Sequence, residues 1–403
     1  MLFRFRRPKV KWFLLLLGCS KVINMKATLH SLRKALHRFP NLSGQEEPTA
    51  ERIQEFLQEF APTQLRTGLG GAGLVAVYEF GPTGPGVLIR CELDALPIQE
   101  ANDFSHRSQH PGVSHKCGHD GHMTMVAGLA AWLQKQQFSA GRVVLLFQPA
   151  EETGKGAAAV LEGDGLQDIP IDYAFALHNI PGEPLHTVLL MEQGFSAEVQ
   201  SFCIRFSGKT AHAAEPEEGI NPTGAIAELI QTFAGYNQTT PTASDFAILT
   251  PIHIKVGEPS YGVAPGAGEL HYTIRTWNSK AMQQLVAKIE QQTAKTSELH
   301  DLAFQLNWFE HFPASTNDAS CNTLIEQAAE HLHLLLREMP HPFRFGEDFG
   351  WFSQHYKTGM FGLGAGLDTP ALHHADYDFP DELLETGVGL FQAIITQILE
   401  AKN

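Results

Sequence analysis

An α/β fold in two domains is the architecture that this sequence predicts, and three features predict it. At 403 residues the chain is longer than one compact core favours. From residue 74 to about 180, short apolar strands alternate with helices, as in a mixed, mostly parallel sheet flanked by helices. Near Gly194 the pattern changes to a strand–helix–strand–strand–helix block, which reads as an inserted α+β unit of ferredoxin-like type. The expected domains are residues 25–193 with 303–403, and an insertion at 194–302. Residues 1–24 stand apart as a leader or extension.

Each element follows from local pattern. Residues 29–36 carry apolar side chains at helical spacing, and Pro40 disfavours helix before it. Residues 47–60 read as an amphipathic helix with Ile53, Phe56, Leu57 and Phe60 on one face. Strands at 74–80 and 86–93 are split by the turn-rich Gly81-Pro82-Thr83-Gly84-Pro85. Residues 121–134, rich in Ala, Met and Leu, form a helix suited to burial. An apolar strand at 142–147, a helix from about Gly156 and a strand at 172–177 follow. Inside the insertion, 199–206, 246–256 and 269–276 read as strands, and 221–234 and 280–296 as helices. Helices at 321–336 and 381–401 flank a short strand at 359–363 and return to the first layer.

Composition excludes whole classes of function. The hydrophobic fraction of 43% and charged fraction of 18% exclude a disordered or fibrous chain. A net charge of −15 repels phosphate backbones, so nucleic acid is excluded as a partner. Five widely spaced cysteines make no disulfide framework, which favours a reducing, cytoplasmic compartment. The N-terminus admits another reading. Arg4, Arg6, Arg7, Lys9 and Lys11 precede an apolar run at 12–17 and then Gly18-Cys19, as in a lipoprotein signal that would anchor the chain to lipid or carry it to the periplasm. That run is as short as the shortest signal-peptide cores, and Met25 would serve as a start where the folded part begins, so the cytoplasmic reading is preferred. No other segment approaches the roughly 20 apolar residues of a membrane span.

Chemistry concentrates in Ser114-His115-Lys116-Cys117-Gly118-His119-Asp120-Gly121-His122. Cys117 and His119, two residues apart across a glycine, suit a borderline-soft divalent ion, although a lone Cys-x-His is often incidental. Glu151-Glu152 follows an apolar strand and a proline. The pair reads either as a solvated helix start or as one metal ligand beside one free base. His178 ends another apolar strand, and His373-His374 follows a glycine-rich stretch. Four chain-distant sites offering Cys/His, Glu/Glu, His and His/His together supply ligands for two metal ions. Asp94, at a strand end, is a candidate to hold a ligand histidine by its second nitrogen, and Asp120 to orient its neighbours.

These residues resemble the amidohydrolase branch of the metal-dependent aminoacylase and carboxypeptidase superfamily, which includes hippurate hydrolases, N-acyl-amino-acid amidohydrolases and auxin-conjugate hydrolases. The resembling pieces are Leu36-His37-Arg38-Phe39-Pro40-Asn41-Leu42-Ser43, Asp94-Ala95-Leu96-Pro97-Ile98, residues 115–122, Phe147-Gln148-Pro149-Ala150-Glu151-Glu152, Ala176-Leu177-His178-Asn179, Gly208-Lys209-Thr210-Ala211-His212-Ala213-Ala214, Glu347-Asp348-Phe349 and Leu372-His373. The resemblance implies two divalent ions per chain, manganese or zinc, with nickel or cobalt also compatible. Cys117 would bridge them, and His119, Glu152, His178 and His373 would complete the ligands. Glu151 would be the general base. It also implies that the insertion is a dimerisation or lid domain whose His212 reaches the active site of a partner copy in a homodimer. Arg275 would meet the substrate carboxylate. The implied reaction is hydrolysis of an N-acyl amino acid, such as an N-acetyl or N-benzoyl one, to a carboxylic acid and a free amino acid.

Three departures bear on substrate preference. Gly262 stands where relatives carry asparagine, Lys116 replaces their alanine, and an arginine usual before Thr240-Pro241 is missing. Two rival readings stay open: a cysteine hydrolase with Cys117 as nucleophile, and a metal-binding relative with lost or altered catalysis.

Overall fold

The computed structural model describes residues 25–192 and 194–401, so the basic segment and Gly18-Cys19 lie outside the described residues. The chain opens with α1 (Met25–Arg38) and α2 (Glu47–Gln58), then a hairpin of β1 (Gln64–Leu69) and β2 (Gly73–Glu79). Next come β3 (Gly86–Glu92), α3 (His119–Leu133), β4 (Arg142–Gln148), α4 (Gly156–Glu162), β5 (Tyr173–Ile180) and β6 (Val188–Met191). After the insertion described below, α7 (Ala319–His331), β13 (Leu336–Met339), β14 (Lys357–Gly364) and α8 (Leu383–Leu399) complete this layer.

The eight strands order as β1-β2-β4-β3-β5-β14-β6-β13. The centre, β4-β3-β5-β14, is parallel, while β2 and β6 join it antiparallel. Strand alternation sends Val143, Leu145 and Phe147 of β4 into one core with α1, α2, α3, α7 and α8, and Val144 and Leu146 into another with α4 and the turn of 3-10 helix at Asp348–Gln354. Burial on both faces explains why these strands are apolar throughout. Helix α3 is buried almost all round, so it shows no polar stripe.

The insertion carries β7 (Glu198–Ser207), β8 (Ala211–His212), α5 (Thr223–Ala234), β9 (Ala247–Val256), β10 (Val263–Ala264), β11 (Ala267–Thr276), α6 (Ser279–Leu299) and β12 (Ala303–Phe312). Its main sheet, ordered β12-β7-β11-β9, is antiparallel throughout and packs one face on α5 and α6. Here the structure corrects the expected boundary at 302, because β12 pairs with β7 along its length and completes this sheet.

Other expectations shift in detail. Strands β1, β6, β12 and β13 are absent from the sequence reading. The helix expected over 321–336 stops at His331, and Leu336 starts a strand instead. Among the described residues, no helix is long and apolar enough to cross a membrane.

Candidate metal centre

The winding of the sheet creates the site. From β3 the chain crosses through α3 to β4 on one face, then through α4 to β5 on the other. The loops after β3 and β4 therefore diverge and leave a crevice at the carboxyl ends of the strands. Asp94 lies just past β3, and Glu151 and Glu152 just past β4. His178 was expected at a strand end; it sits within β5, whose pairing with β14 runs on to Ile180.

Cys117 and His119 reach the crevice from the start of α3. Gly118 caps that helix at φ +99°, a left-handed conformation that glycine adopts freely. A Cβ there would lie 2.3 Å from Asn179 Oδ1. His373, in the loop after β14 and at φ +66°, is tied to the same stretch because its amide donates to the Lys116 carbonyl at 2.8 Å.

Two histidines present their Nε2 lone pairs inward. His119 Nδ1 donates to the Asp94 carbonyl at 2.8 Å, and His178 Nδ1 donates to the Asn179 carbonyl at 2.9 Å. A carbonyl accepts only, so each bond puts the proton on Nδ1 and leaves Nε2 free to ligate. His178 Nε2 lies 3.4 Å from Cys117 Sγ. His119 Nε2 lies 3.8 Å from Glu151 Oε2 and 3.9 Å from Glu152 Oε1. His373 Nε2 lies 3.8 Å from Glu152 Oε2. Donor atoms converge within 4.8 Å in the sets Cys117–His119–His178, Cys117–Glu152–His373 and His119–Glu151–Glu152. Asp94 braces the group: its Oδ2 accepts from Ser43 Oγ at 2.7 Å and from the Glu152 amide at 2.9 Å.

The electrostatics of these side chains fit divalent cations. His119 Nε2, Glu152 Oε1 and Asp94 Oδ1 are buried without a hydrogen-bond partner, and a ligated ion satisfies such atoms. Burial and the repulsion of Glu347 and Glu152 hold the Glu151 carboxyl well above its ordinary pKa. Burial likewise pushes Glu152 up to about 7 and raises the Cys117 thiol, with Glu152 and Glu151 adding to the latter. His119 is pushed up to about 10: burial opposes its charge, but Asp94, Glu92 and Glu152 outweigh burial. The pocket thus holds surplus negative charge, which metal ions would neutralise in place of protons.

Two charged residues, Arg90 and Glu92, shape the site without having been expected to. Arg90, fully buried on β3, contacts Glu92, Glu347 at 3.0 Å and Asp348 at 2.5 Å. His122 bridges Glu92 Oε2 at 2.7 Å and Asn179 Oδ1 at 2.6 Å. The available signal was charge inside an apolar strand, Arg90 and Glu92 in Gly86–Glu92. Asp120 points away from the ligand group: its Oδ2 meets His37 Nδ1 at 2.8 Å and Arg33 at 3.5 Å. Behind it, Lys116 is wholly buried and donates to Glu100 at 2.6 Å and to the Tyr377 carbonyl at 2.7 Å. The side chain that replaces alanine here thus serves as an anchor within the fold.

His212 and Arg275 lie on the insertion. His212 is exposed on the β8–β10 ribbon opposite Val263, and its Nδ1 accepts from the Ala214 amide at 3.0 Å. Arg275 is half-buried on β11, with Nη1 buried and unpartnered. Gly262 is exposed beside His212, and a Cβ there would meet nothing within 4 Å.

The chain as a whole has relatives among known proteins. The model for "Peptidase family M20/M25/M40" matches residues 88–397. An N-acetyl-L-cysteine deacetylase of Bacillus subtilis is 35% identical over 359 residues, covering 87% of this chain and 83% of that protein. A solved Bacillus subtilis structure, described as a dinuclear metal binding peptidase from the M20 family, superposes with a TM-score of 0.81 at 26% identity, covering 94% of this chain and 99% of the other. A Staphylococcus aureus structure shares the fold at a TM-score of 0.85 and 22% identity, over 93% of this chain and 97% of the other.

Proposed function

This chain belongs to peptidase family M20/M25/M40, and from that premise we propose that it hydrolyses the amide bond of small N-acyl amino acids, releasing a carboxylic acid and a free amino acid. The observation that carries the reading is Glu151: a buried carboxylate 3.8 Å from His119 Nε2 that the five proposed ligands, Cys117, His119, Glu152, His178 and His373, leave available for proton transfer. Metal binding alone does not require it. Relatives named as deacetylases of N-acetylated cysteine support an N-acyl amino acid as substrate.

Cys117, His119, Glu152, His178 and His373 would hold two divalent ions, manganese or zinc. When bound, such ions acidify water and polarise a carbonyl. Glu151 takes the proton from the attacking water and returns it to the leaving nitrogen, serving as base and then as acid. Its burial keeps solvent from competing for that proton. Asp94 holds His119 in the ligating tautomer through its own carbonyl. His212, exposed on the insertion, would act on the site of a partner copy in a homodimer and hold the developing oxyanion there. Arg275 would receive the substrate carboxylate.

Turnover of a panel of N-acetyl, N-benzoyl and indole-acyl amino acids tests the reading. Activity should vanish in chelator and return with Mn²⁺ or Zn²⁺. Glu151→Gln should lower kcat by about 10²–10⁴-fold while metal content holds. Chelator-resistant activity would support the cysteine-nucleophile mechanism instead. No turnover of any panel member by the metal-loaded chain would leave only a binding role.

A further inference from the structure

The sheet of the insertion has one face covered by α5 and α6 and one open at Arg205 and His253, on which Cys203 is nonetheless buried. Phe202, Ile204, Leu270, Tyr272 and Ile274 point into the covered core. Alternation therefore turns Cys203, Arg205, Glu269 and His271 to the open face. Register then sets Cys203, His271 and His253 directly opposite one another on β7, β11 and β9. The next row along is Arg205, Glu269 and Lys255.

The donor atoms of Cys203, His271 and Glu269 converge, and His253 approaches the Glu269 carboxylate. Cys203 Sγ lies 3.3 Å from His271 Nε2. Glu269 Oε1 lies 3.6 Å from His271 Nε2 and 3.5 Å from His253 Nε2. A tetrahedral zinc site with bonds of about 2.0–2.3 Å has ligand–ligand edges of about 3.3–3.8 Å. All three separations fall in that range before any ion is added. The donor atoms of Cys203, Glu269 and His271 also lie within 4.8 Å of one another as a set. The two carboxylate oxygens divide their work, since Oε2 faces Arg205 Nε at 3.3 Å while Oε1 faces the histidines. Arg205 thus orients the carboxylate from behind, as partners of metal ligands do. Lys255, the other cation of the second row, pairs with Glu258.

We propose that Cys203, His253, Glu269 and His271 bind one divalent transition-metal ion of the zinc class, at a site separate from the catalytic centre. A thiolate, two imidazoles and a carboxylate from three adjacent strands would supply four protein ligands, which leaves no open position and so suits a structural role. Its effect is to clip edge strand β9 to β11 and β7. The clip has something to hold: from Thr250 to Lys255 the side chains of β9 are exposed on both faces, so little packing secures that half of the strand.

The test counts zinc. Metal-free chain is loaded with Zn²⁺, desalted and analysed by inductively coupled plasma mass spectrometry, for wild type and for Cys203→Ala, His271→Ala and His253→Ala. Cys203→Ala and His271→Ala should each hold one ion fewer per chain than wild type and keep their hydrolytic activity. His253→Ala alters a side chain that is 52% exposed, so folding is not at risk, and it should weaken binding of that ion by about tenfold or more. With Co²⁺ in place of zinc, the thiolate-to-cobalt absorption should shrink in Cys203→Ala and persist from Cys117. Equal zinc content in wild type and Cys203→Ala, or unchanged zinc affinity in His253→Ala, overturns the proposal. The difference between wild type and variants does not depend on whether the chain hydrolyses any substrate.

Discussion

Replacing Gly118 by alanine separates backbone strain from packing at the metal centre, with Gly112→Ala as its control. Both glycines have positive φ, +99° and +76°. A non-glycine residue in this region costs roughly 1–2 kcal/mol, partly offset by the lower entropy of the unfolded alanine chain, so strain alone predicts about 1 kcal/mol for each. The surroundings differ. A Cβ at Gly112 meets nothing within 4 Å, whereas one at Gly118 lies 2.3 Å from Oδ1 of the fully buried Asn179. Asn179 must then move, which breaks its bonds to His122 Nε2 and to the Tyr377 hydroxyl, each 2.6 Å long. Each lost buried bond costs about 1–2 kcal/mol, giving about 3–5 kcal/mol for Gly118→Ala in total. Urea unfolding midpoints of the two variants against wild type measure the difference. Metal content should fall in Gly118→Ala, whose flanking residues are both proposed ligands, and hold in Gly112→Ala. Equal destabilisation of the two variants, or full metal content in Gly118→Ala, refutes the reasoning.

Cys117→Ser should lose metal stoichiometry together with activity; full metal content with activity abolished would return Cys117 to the role of nucleophile. His37 makes stability pH-dependent. Burial opposes its charge, but bonds to Asp120 and Glu100 outweigh burial and push it up to about 9 from an ordinary 6.5. Glu100, pulled down to about 2 against its burial by His37 and Lys116, stays ionised throughout that window. A raised histidine stabilises fully below its unfolded value and loses that contribution as pH rises through the folded one. Unfolding free energy should therefore fall by up to about 3 kcal/mol between pH 6.5 and 9. His37→Gln should be less stable at pH 6.5 and flatter in its pH dependence across that window; parallel curves for the two proteins would count against it. Finally, under the proposed pairing, Glu151→Gln and His212→Ala should each be inactive alone and regain about a quarter of wild-type activity after mixed reassembly, because half of such dimers would carry one intact site of two. Absence of recovery in verified mixed dimers would show that His212 does not act across the pair.

Local pattern made much of the framework readable. Apolar strands β2, β3, β4, β5 and β14 announced themselves because burial on both faces demands unbroken hydrophobicity. The strands that escaped are those where this signal fails. β12 is mostly exposed or half-exposed, and β6 and β13 are four residues long, too short for periodicity. α7 blurred into β13 because the few residues between them break the apolar pattern only weakly.

Taken alone, the sequence offered the candidate groups: Cys117 and His119, the Glu151-Glu152 pair, His178 and the His373-His374 pair stand out as residue types in context. Within β11, period-two alternation also puts Glu269 and His271 on one face, because that pattern is local. Tertiary structure alone decided which of these groups meet. Strand order is set by crossovers that span tens of residues, and it brings β3, β4 and β5 side by side with their loops parting. Hydrogen bonds donated by Nδ1 to the Asp94 and Asn179 carbonyls then choose the tautomers that aim His119 and His178 inward. The same holds on the insertion, where only the register of β7, β11 and β9 sets two histidines, a thiol and a carboxylate at ligand spacing. Convergence of this kind depends on contacts distant in the chain, and no local pattern of residues encodes it.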